Sequence, residues 1–248
     1  MLLKRESLTA VGVLEKITGV FANFDVPILE LKISVLGLDQ PLKVVLIADL
    51  KGKEDIIDKI ALTLKRQPFV EELQFMPPVA QNLAIDLFSF PVISSGERAI
   101  VMRRPVYEGL IKGGWEVFGT PYAILLYSVG YQSGLRAYRE HAKLAEEPDT
   151  LKLATGLFQL FGYGRVEVTR LDDKARIGVL RVYDSFECQM FQGAGEIRGN
   201  FVRGVIAGWF AGHWSVGEDE EVFAREVKCI AEGDAFCEYI VQVEKKKH

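Results

Sequence analysis

Arg225-Glu-Val-Lys-Cys229-Ile-Ala-Glu-Gly-Asp-Ala-Phe-Cys237-Glu-Tyr-Ile-Val is the stretch on which the reading of this chain turns. Two apolar-rich runs flank Gly233-Asp234, the composition of a β-hairpin with a tight turn. Glu226, Cys229 and Cys237 gather around that turn. Side chains facing each other across a hairpin have Cβ atoms about 4.5–5.5 Å apart, so two thiolates there can share one metal ion. Two plainer readings stay open: buried thiols acting as small hydrophobes, and a cross-strand disulfide, which a reducing cytoplasm disfavours. Strand geometry adds a condition. Residues three apart point to opposite faces of a regular strand, so Glu226 joins Cys229 only if the strand bulges or bends.

The chain has 248 residues, 49% of them hydrophobic, enough for one large domain or two small ones with real cores. A net charge of −4 gives no basic face for nucleic acid. Three cysteines are an odd number, which argues against a secreted disulfide framework. Met1-Leu-Leu-Lys-Arg runs into polar Glu6-Ser7 rather than an apolar signal core, and no apolar stretch is long enough to span a bilayer. The expectation is a cytoplasmic protein without nucleic-acid or membrane partners.

Residues 1–78 read as an α+β unit of the ferredoxin-like βαββαβ kind. Leu8–Val13 is a short apolar strand, and Leu14, Ile17, Val20, Phe21 and Phe24 recur at helical spacing. Ile28–Val35 and Leu42–Asp49 read as strands, Asp55–Arg66 as a helix and Val70–Met76 as the closing strand. The wording from Val11 to Ile28 resembles the ACT family of small-molecule regulatory domains, which implies effector binding at the first turn and dimerisation. Gly12 matches the family's turn glycine. The family's turn aspartate and proline are Thr9 and Val11 here, and its asparagine after the first helix is Pro27, which has no N–H to donate. A dimerisation or scaffold role is therefore expected of this domain ahead of effector sensing.

Met76-Pro-Pro-Val79 marks the boundary, because consecutive prolines break helix and strand alike. Residues 79–248 read as a second α+β domain. Strands are expected at Leu83–Phe90 and Ala99–Arg103, and helices at Pro105–Phe118, Pro121–Lys143 and Asp149–Phe161. A hairpin over Arg165–Arg170 and Ala175–Asp184 follows, then a long helix over Glu196–Trp214 and the closing hairpin. Three stretches resemble the 4-vinyl reductase domain family, which is grouped with TRAPP-type trafficking subunits and aromatic-responsive sensor domains. They are Gly114-Trp-Glu-Val-Phe-Gly-Thr-Pro-Tyr-Ala-Ile-Leu-Leu-Tyr-Ser-Val-Gly130-Tyr-Gln-Ser-Gly134, Gly204-Val-Ile-Ala-Gly208-Trp-Phe-Ala-Gly212, and the ending from Arg225 to Cys237. The resemblance implies an enclosed ligand pocket, a zinc ion and dimerisation through helices.

Carried over residue by residue, Glu226, Cys229 and Cys237 match zinc ligands of the aromatic-sensing members. The family's fourth ligand, a cysteine near the start of the late helix, has no counterpart. Arg203 sits about there, and Cys188 is the cysteine left to complete a tetrahedral site. Four protein ligands would make that zinc structural, because catalytic zinc keeps an open position.

Trp115, Tyr127, Tyr131, Tyr183, Phe186, Trp209, Phe210 and His213 are the candidate pocket residues. Aromatics at helical spacing are ordinarily core, but apolar walls with a few polar handles are also how ligand pockets are built. Glycines at 204, 208 and 212 of one helix each cost about 1 kcal/mol in propensity, which points to close helix packing or a ligand held against the backbone. Nucleophile elbow, phosphate loop, dinucleotide fingerprint and His-Glu metal helix are all missing from the sequence. The expectation is a binding module, not an enzyme. It would be a cytoplasmic sensor of an apolar or aromatic small molecule, homodimeric, signalling through a protein partner. The competing readings are an adaptor dimer like the trafficking subunits and an enzyme acting on a tetrapyrrole-like substrate.

Overall fold

A computed structural model describes residues 1–35, 41–80, 83–94, 97–196 and 198–246. It is an α+β structure with antiparallel sheets, divided into two compact units, Met1–Val101 and Met102–His248.

The first unit runs β1 (Leu2–Leu3), α1 (Val13–Asn23), β2 (Ile28–Val35), β3 (Leu42–Ala48), α2 (Ile57–Lys65) and β4 (Val70–Glu72). The strands pair antiparallel in the order β2-β3-β1-β4. Val13, Ile17, Val20 and Phe21 of α1 and Ile60 and Leu64 of α2 bury one helical face each, against Leu3, Leu42 and Val44 of the sheet. The first strand lies earlier than the expected Leu8–Val13. Arg5–Leu8 forms a 3₁₀ turn, Val11 is fully exposed, and Gly12 enters α1 with φ of 84°. That left-handed backbone is what glycine supplies cheaply.

Residues 79–101, which the prolines separate from the first domain in sequence, pack with the first unit. Lys32 pairs with Asp86 at 3.5 Å and Lys43 donates to the carbonyl of Phe88. The strands expected at Leu83–Phe90 and Ala99–Arg103 do not form. Leu83, Ile85 and Leu87 keep their alternation but are each 51% exposed. Asp86 Oδ1 accepts from the backbone N–H of Phe88 and Ser89, both at 3.0 Å, and this side-chain turn takes over donors that a ladder would have used. A short ribbon of β5 (Ile93–Ser94) and β6 (Glu97–Arg98) forms instead.

The second unit opens with α3 (Arg104–Glu108) and α4 (Gly114–Phe118), joined by a π-helical turn over Gly109–Gly113. There follow α5 (Thr120–Leu144), α6 (Asp149–Leu160), β7 (Arg165–Asp172), β8 (Ile177–Tyr183), α7 (Phe186–Gln189), α8 (Asn200–His213), β9 (Glu220–Lys228) and β10 (Cys237–Lys245). The antiparallel sheet has the order β7-β8-β10-β9. Leu180, Val182, Val222, Ala224, Tyr239 and Val241 turn inward, and α8 packs on them. Helix α8 is buried nearly all round, because α5 covers its other side.

The α5–α8 seam is made backbone to backbone. A Cβ on Gly130 or Gly134 would collide with the carbonyl oxygens of Phe201 and Val205, and one on Gly204 or Gly208 with those of Tyr127 and Tyr131. This close approach is the use to which four helix-interior glycines are put.

Candidate metal cluster and apolar pocket

The closing hairpin bulges where the sequence requires it. Tyr239 of β10 pairs with Glu226, yet Glu238 pairs with Lys228, so Val227 is an extra residue on β9. Val227 and Lys228 both face solvent, while Glu226 and Cys229 on either side are buried. The inserted residue resets the alternation and turns both ligand candidates to the same side. Past the strand, Cys229 N–H donates to Asp234 Oδ2 at 2.9 Å, and a 3₁₀ turn over Ile230–Glu232 ends at Gly233, whose φ is 106°. Cys237 then starts β10 opposite Val182.

Cys188 comes from α7 and completes the group. One ligand atom from each of Cys188, Glu226, Cys229 and Cys237 lies within 4.8 Å of all the others, and all four residues are buried. Around a tetrahedral ion with bonds of about 2.3 Å to sulfur, the donors stand about 3.8 Å apart, and Cys188 Sγ and Glu226 Oε1 are 3.6 Å apart here. Cys229 is the natural thiolate. It accepts from the thiols of Cys188 and Cys237 and from the backbone N–H of Arg198 and Ala231, which hold its pKa far below the usual thiol range. Contact with Cys229 and Cys237 and burial push Cys188 well up, and its thiol lies 3.6 Å from the acceptor Glu226 Oε1. Cys237 accepts from Cys188 but is raised by its own bond to Cys229 and by burial. Burial, then the neighbouring Cys229, raises Glu226 to about 8. Three thiols and a carboxylate buried side by side form a donor set that ionises fully only around a cation. The residues fit a metal ion.

Two carboxylates tie this cluster to the start of α8. Glu226 Oε2 accepts the backbone N–H of Gly199 at 3.1 Å, while its Oε1 accepts from the Tyr239 hydroxyl at 3.2 Å. Glu187, next to Cys188, accepts from Phe201 N at 2.9 Å and Val202 N at 2.8 Å. It is a side-chain cap supplied by another element, placing a carboxylate at the positive end of the helix. Burial nevertheless raises its pKa to about 7. A Cβ on Gly199 would lie 2.6 Å from both Glu226 Oε2 and the Tyr239 hydroxyl, so glycine is what lets the helix start reach the cluster.

Further along α8 lies a cavity of about 110 Å³. Its walls are Ala137 and His141 of α5, Leu151, Ala154, Thr155, Leu157 and Phe158 of α6, and Phe161 and Tyr163 beyond it. Val166 and Leu180 of the sheet and Val205, Ile206, Trp209 and Phe210 of α8 complete the lining, and the pocket stays half open rather than the enclosed one expected. The lining is almost entirely carbon. Thr155 donates its hydroxyl to the carbonyl of Lys152 at 3.0 Å. Trp209 Nε1–H donates to His141 Nδ1 at 3.1 Å. An indole can only donate, so Nδ1 is the acceptor and Nε2 carries the proton of the neutral ring. Burial lowers the His141 pKa, against the opposing charge of Glu140.

Of the pocket residues expected from sequence, Trp209 and Phe210 line this cavity. His213 sits just outside, stacked on Trp209 with ring centroids 5.3 Å apart. Its Nδ1 lies 3.1 Å from Glu147 Oε1 and its Nε2 2.8 Å from Asp173 Oδ1, bridging the α5–α6 connection to the tip of the β7–β8 hairpin. Trp115 carries the Arg198 guanidinium 3.4 Å above its ring. Tyr127 and Tyr131 belong to the α5–α8 seam, Tyr183 donates to Glu167 Oε2 at 2.7 Å, and Phe186 packs on Tyr107 at 4.3 Å. His141, the α6 wall and Glu187 were not singled out from sequence. Leu151, Ala154 and Phe158 show helical spacing, and His141 continues the Gly130–Gly134–Ala137 face of α5, so a signal for the cavity existed. Glu187 offers none beyond its place beside Cys188.

No protein-family model and no curated protein matches the chain. Among solved structures, the chain is similar to the crystal structure of the phenol-responsive sensory domain of the transcription activator PoxR with phenol. The match covers 59% of this chain and 78% of that one, at 18% identity and a TM-score of 0.51. At that identity what is shared is a fold. Weaker matches are a trafficking protein particle complex subunit 3 from Naegleria fowleri covalently bound to palmitic acid, and a vinyl-4-reductase family protein from Methanocaldococcus jannaschii. The first has 17% identity over 58% of this chain and 95% of that one, with a TM-score of 0.41. The second has 15% identity over 60% and 85%, with a TM-score of 0.38. Among the described residues, no helix is long and apolar enough to cross a membrane.

Proposed function

We propose that the second unit is the ligand-binding domain of a sensor of the 4-vinyl-reductase-like kind, taking a compact apolar or aromatic molecule into the cavity beside α8. The observation that carries this reading is the cavity itself: about 110 Å³ and almost wholly apolar-walled, with His141 and Thr155 as its few polar residues. An engineered cavity of about 150 Å³ takes up benzene, so a single ring or short chain is the right scale after slight yielding of the walls. A tetrapyrrole is several times too large, which disfavours the enzyme reading. The fold shared with a phenol-responsive domain supports an aromatic ligand.

In the same proposal the cluster of Cys188, Glu226, Cys229 and Cys237 holds structural zinc. Borderline-soft Zn²⁺ suits three thiolates and a carboxylate, and four protein ligands leave no open position for catalysis. The first unit, with its βαββαβ order, is taken as ACT-like and as a scaffold, and the protein as cytoplasmic. Homodimerisation is supported by an apolar surface on α4 and α5, where Phe118, Ile124 and Leu125 are all more than half exposed. Output would pass through a protein partner.

The test is thermal shift with phenols, fatty acids and tetrapyrroles. A ligand of the folded state stabilises by about 2.7 kcal/mol at a hundredfold excess over its dissociation constant. Phenols are expected to raise the midpoint, and Trp209→Ala to abolish that shift without loss of metal. No shift with any single-ring compound would overturn the sensor reading.

A further inference from the structure

The pocket and the metal cluster share one element. Helix α8 begins at the cluster, where Gly199 N–H is held by Glu226 and the next turn is capped by Glu187 beside Cys188. The same helix supplies Ile206, Trp209 and Phe210 to the cavity wall, and Trp209 lies about 15 Å along the axis from Gly199. A second connection runs through α7. Phe186 N–H donates to the carbonyl of Tyr163, a cavity residue, at 3.2 Å, and Cys188 lies two residues on. Whatever fixes Cys188 and Glu226 therefore fixes both ends of a short path into the cavity wall.

We infer that the metal cluster is a positioning device for α8, so that metal occupancy and pocket affinity are energetically coupled, with Glu187 and Gly199 as the positioning residues. This rests on the sensor reading above. Cys188 Sγ and Glu226 Oε1 already stand 3.6 Å apart, so an ion shared by them would hold the acceptors for Gly199, Phe201 and Val202 in register with β9 and β10. An ion bonded to both Cys188 and Glu226 would stiffen these acceptors, and with them the start of α8 that sets where Trp209 stands. By linkage the effect is reciprocal: a ligand that orders the wall must tighten the metal by the same factor.

The experiment is an equilibrium competition for zinc between the full-length protein and a colorimetric chelator, with and without saturating phenol. Phenol is expected to tighten zinc at least about fivefold, the lower end of ordinary coupling between sites. Gly199→Ala, which inserts a methyl between the helix start and Glu226, is expected to bring that factor close to one, and retention of the full factor would overturn the positioning role. If Gly199→Ala fails to load zinc, Glu187→Gln, which retains one acceptor oxygen, is expected to give an intermediate factor. Equal zinc affinity in wild type with and without phenol, where thermal shift proves phenol bound, overturns the coupling and leaves the sensor reading standing. No shift with phenol or any other single-ring compound in zinc-loaded wild type overturns both.

Discussion

Gly208 of α8 lies directly against the carbonyl oxygen of Tyr131 on α5, with no room for a single carbon between them. Its neighbours one turn away repeat the contact, so the two helices are locked by backbone rather than by interdigitated side chains.

Gly208→Ala gains about 1 kcal/mol of helix propensity but must force the helices apart, and overpacking of this kind costs about 1–3 kcal/mol or more. A net loss of stability is expected in chemical denaturation. Gly156 on α6 is the control, because nothing lies within 4 Å of a Cβ built there. Gly156→Ala should stabilise by about 0.5–1 kcal/mol. Equal effects at both positions would mean that the seam is not load-limited by backbone contact.

Elemental analysis of the purified protein is expected to find one zinc per chain. Cys229→Ser should lose it and unfold at lower temperature, since metal-binding free energy is folding free energy. Deleting Val227 is the more pointed variant: it removes the bulge without touching a ligand, and Glu226 should then leave the cluster. Retention of metal by that deletion would show that Glu226 is not needed.

His141 gives a pH dependence of known sign. Its folded pKa is depressed by burial, so the unfolded chain binds more protons as pH falls. The stability it contributes is complete above its unfolded value of about 6.5 and is lost as pH falls through that value toward the folded pKa. Urea midpoints for wild type should drop between about pH 7 and pH 5 more steeply than for His141→Gln. Parallel profiles would place the titration elsewhere.

Leu125→Glu tests the assembly. Leu125 is 52% exposed on the side of α5 away from the glycine seam. A charge there should convert a dimer to a monomer in light scattering while leaving thermal stability of the subunit within about 0.5 kcal/mol. Monomeric wild type at micromolar concentration would remove the premise.

The second unit was legible where the signal is local. Pro121 and the apolar repeats behind it give α5, the Gly233-Asp234 turn gives the last hairpin, and the spacing of Glu226 and Cys229 demands the bulge at Val227. Legibility failed where partners are far apart in sequence. Trp209 and His141 are 68 residues apart, and Glu187 reaches 15 residues to Val202. Neither pairing has a periodicity to betray it. Leu83–Phe90 failed for the opposite reason: its alternation is strand-like, but Asp86 folds it into a turn first.

The glycine seam has a consequence for what the cavity can admit. One side of the cavity is α5 and α8, whose separation is fixed by the backbone contacts of Gly130, Gly134, Gly204 and Gly208. The other is α6, whose Leu151, Ala154 and Phe158 are only half-buried and whose Gly156 faces open space. A bulkier guest would therefore be accommodated from one side alone, by α6 leaning outward about the Ala145–Pro148 connection, where His213 grips Glu147. The tightness of that grip, rather than the shape of the cavity floor, would decide the largest molecule the protein accepts.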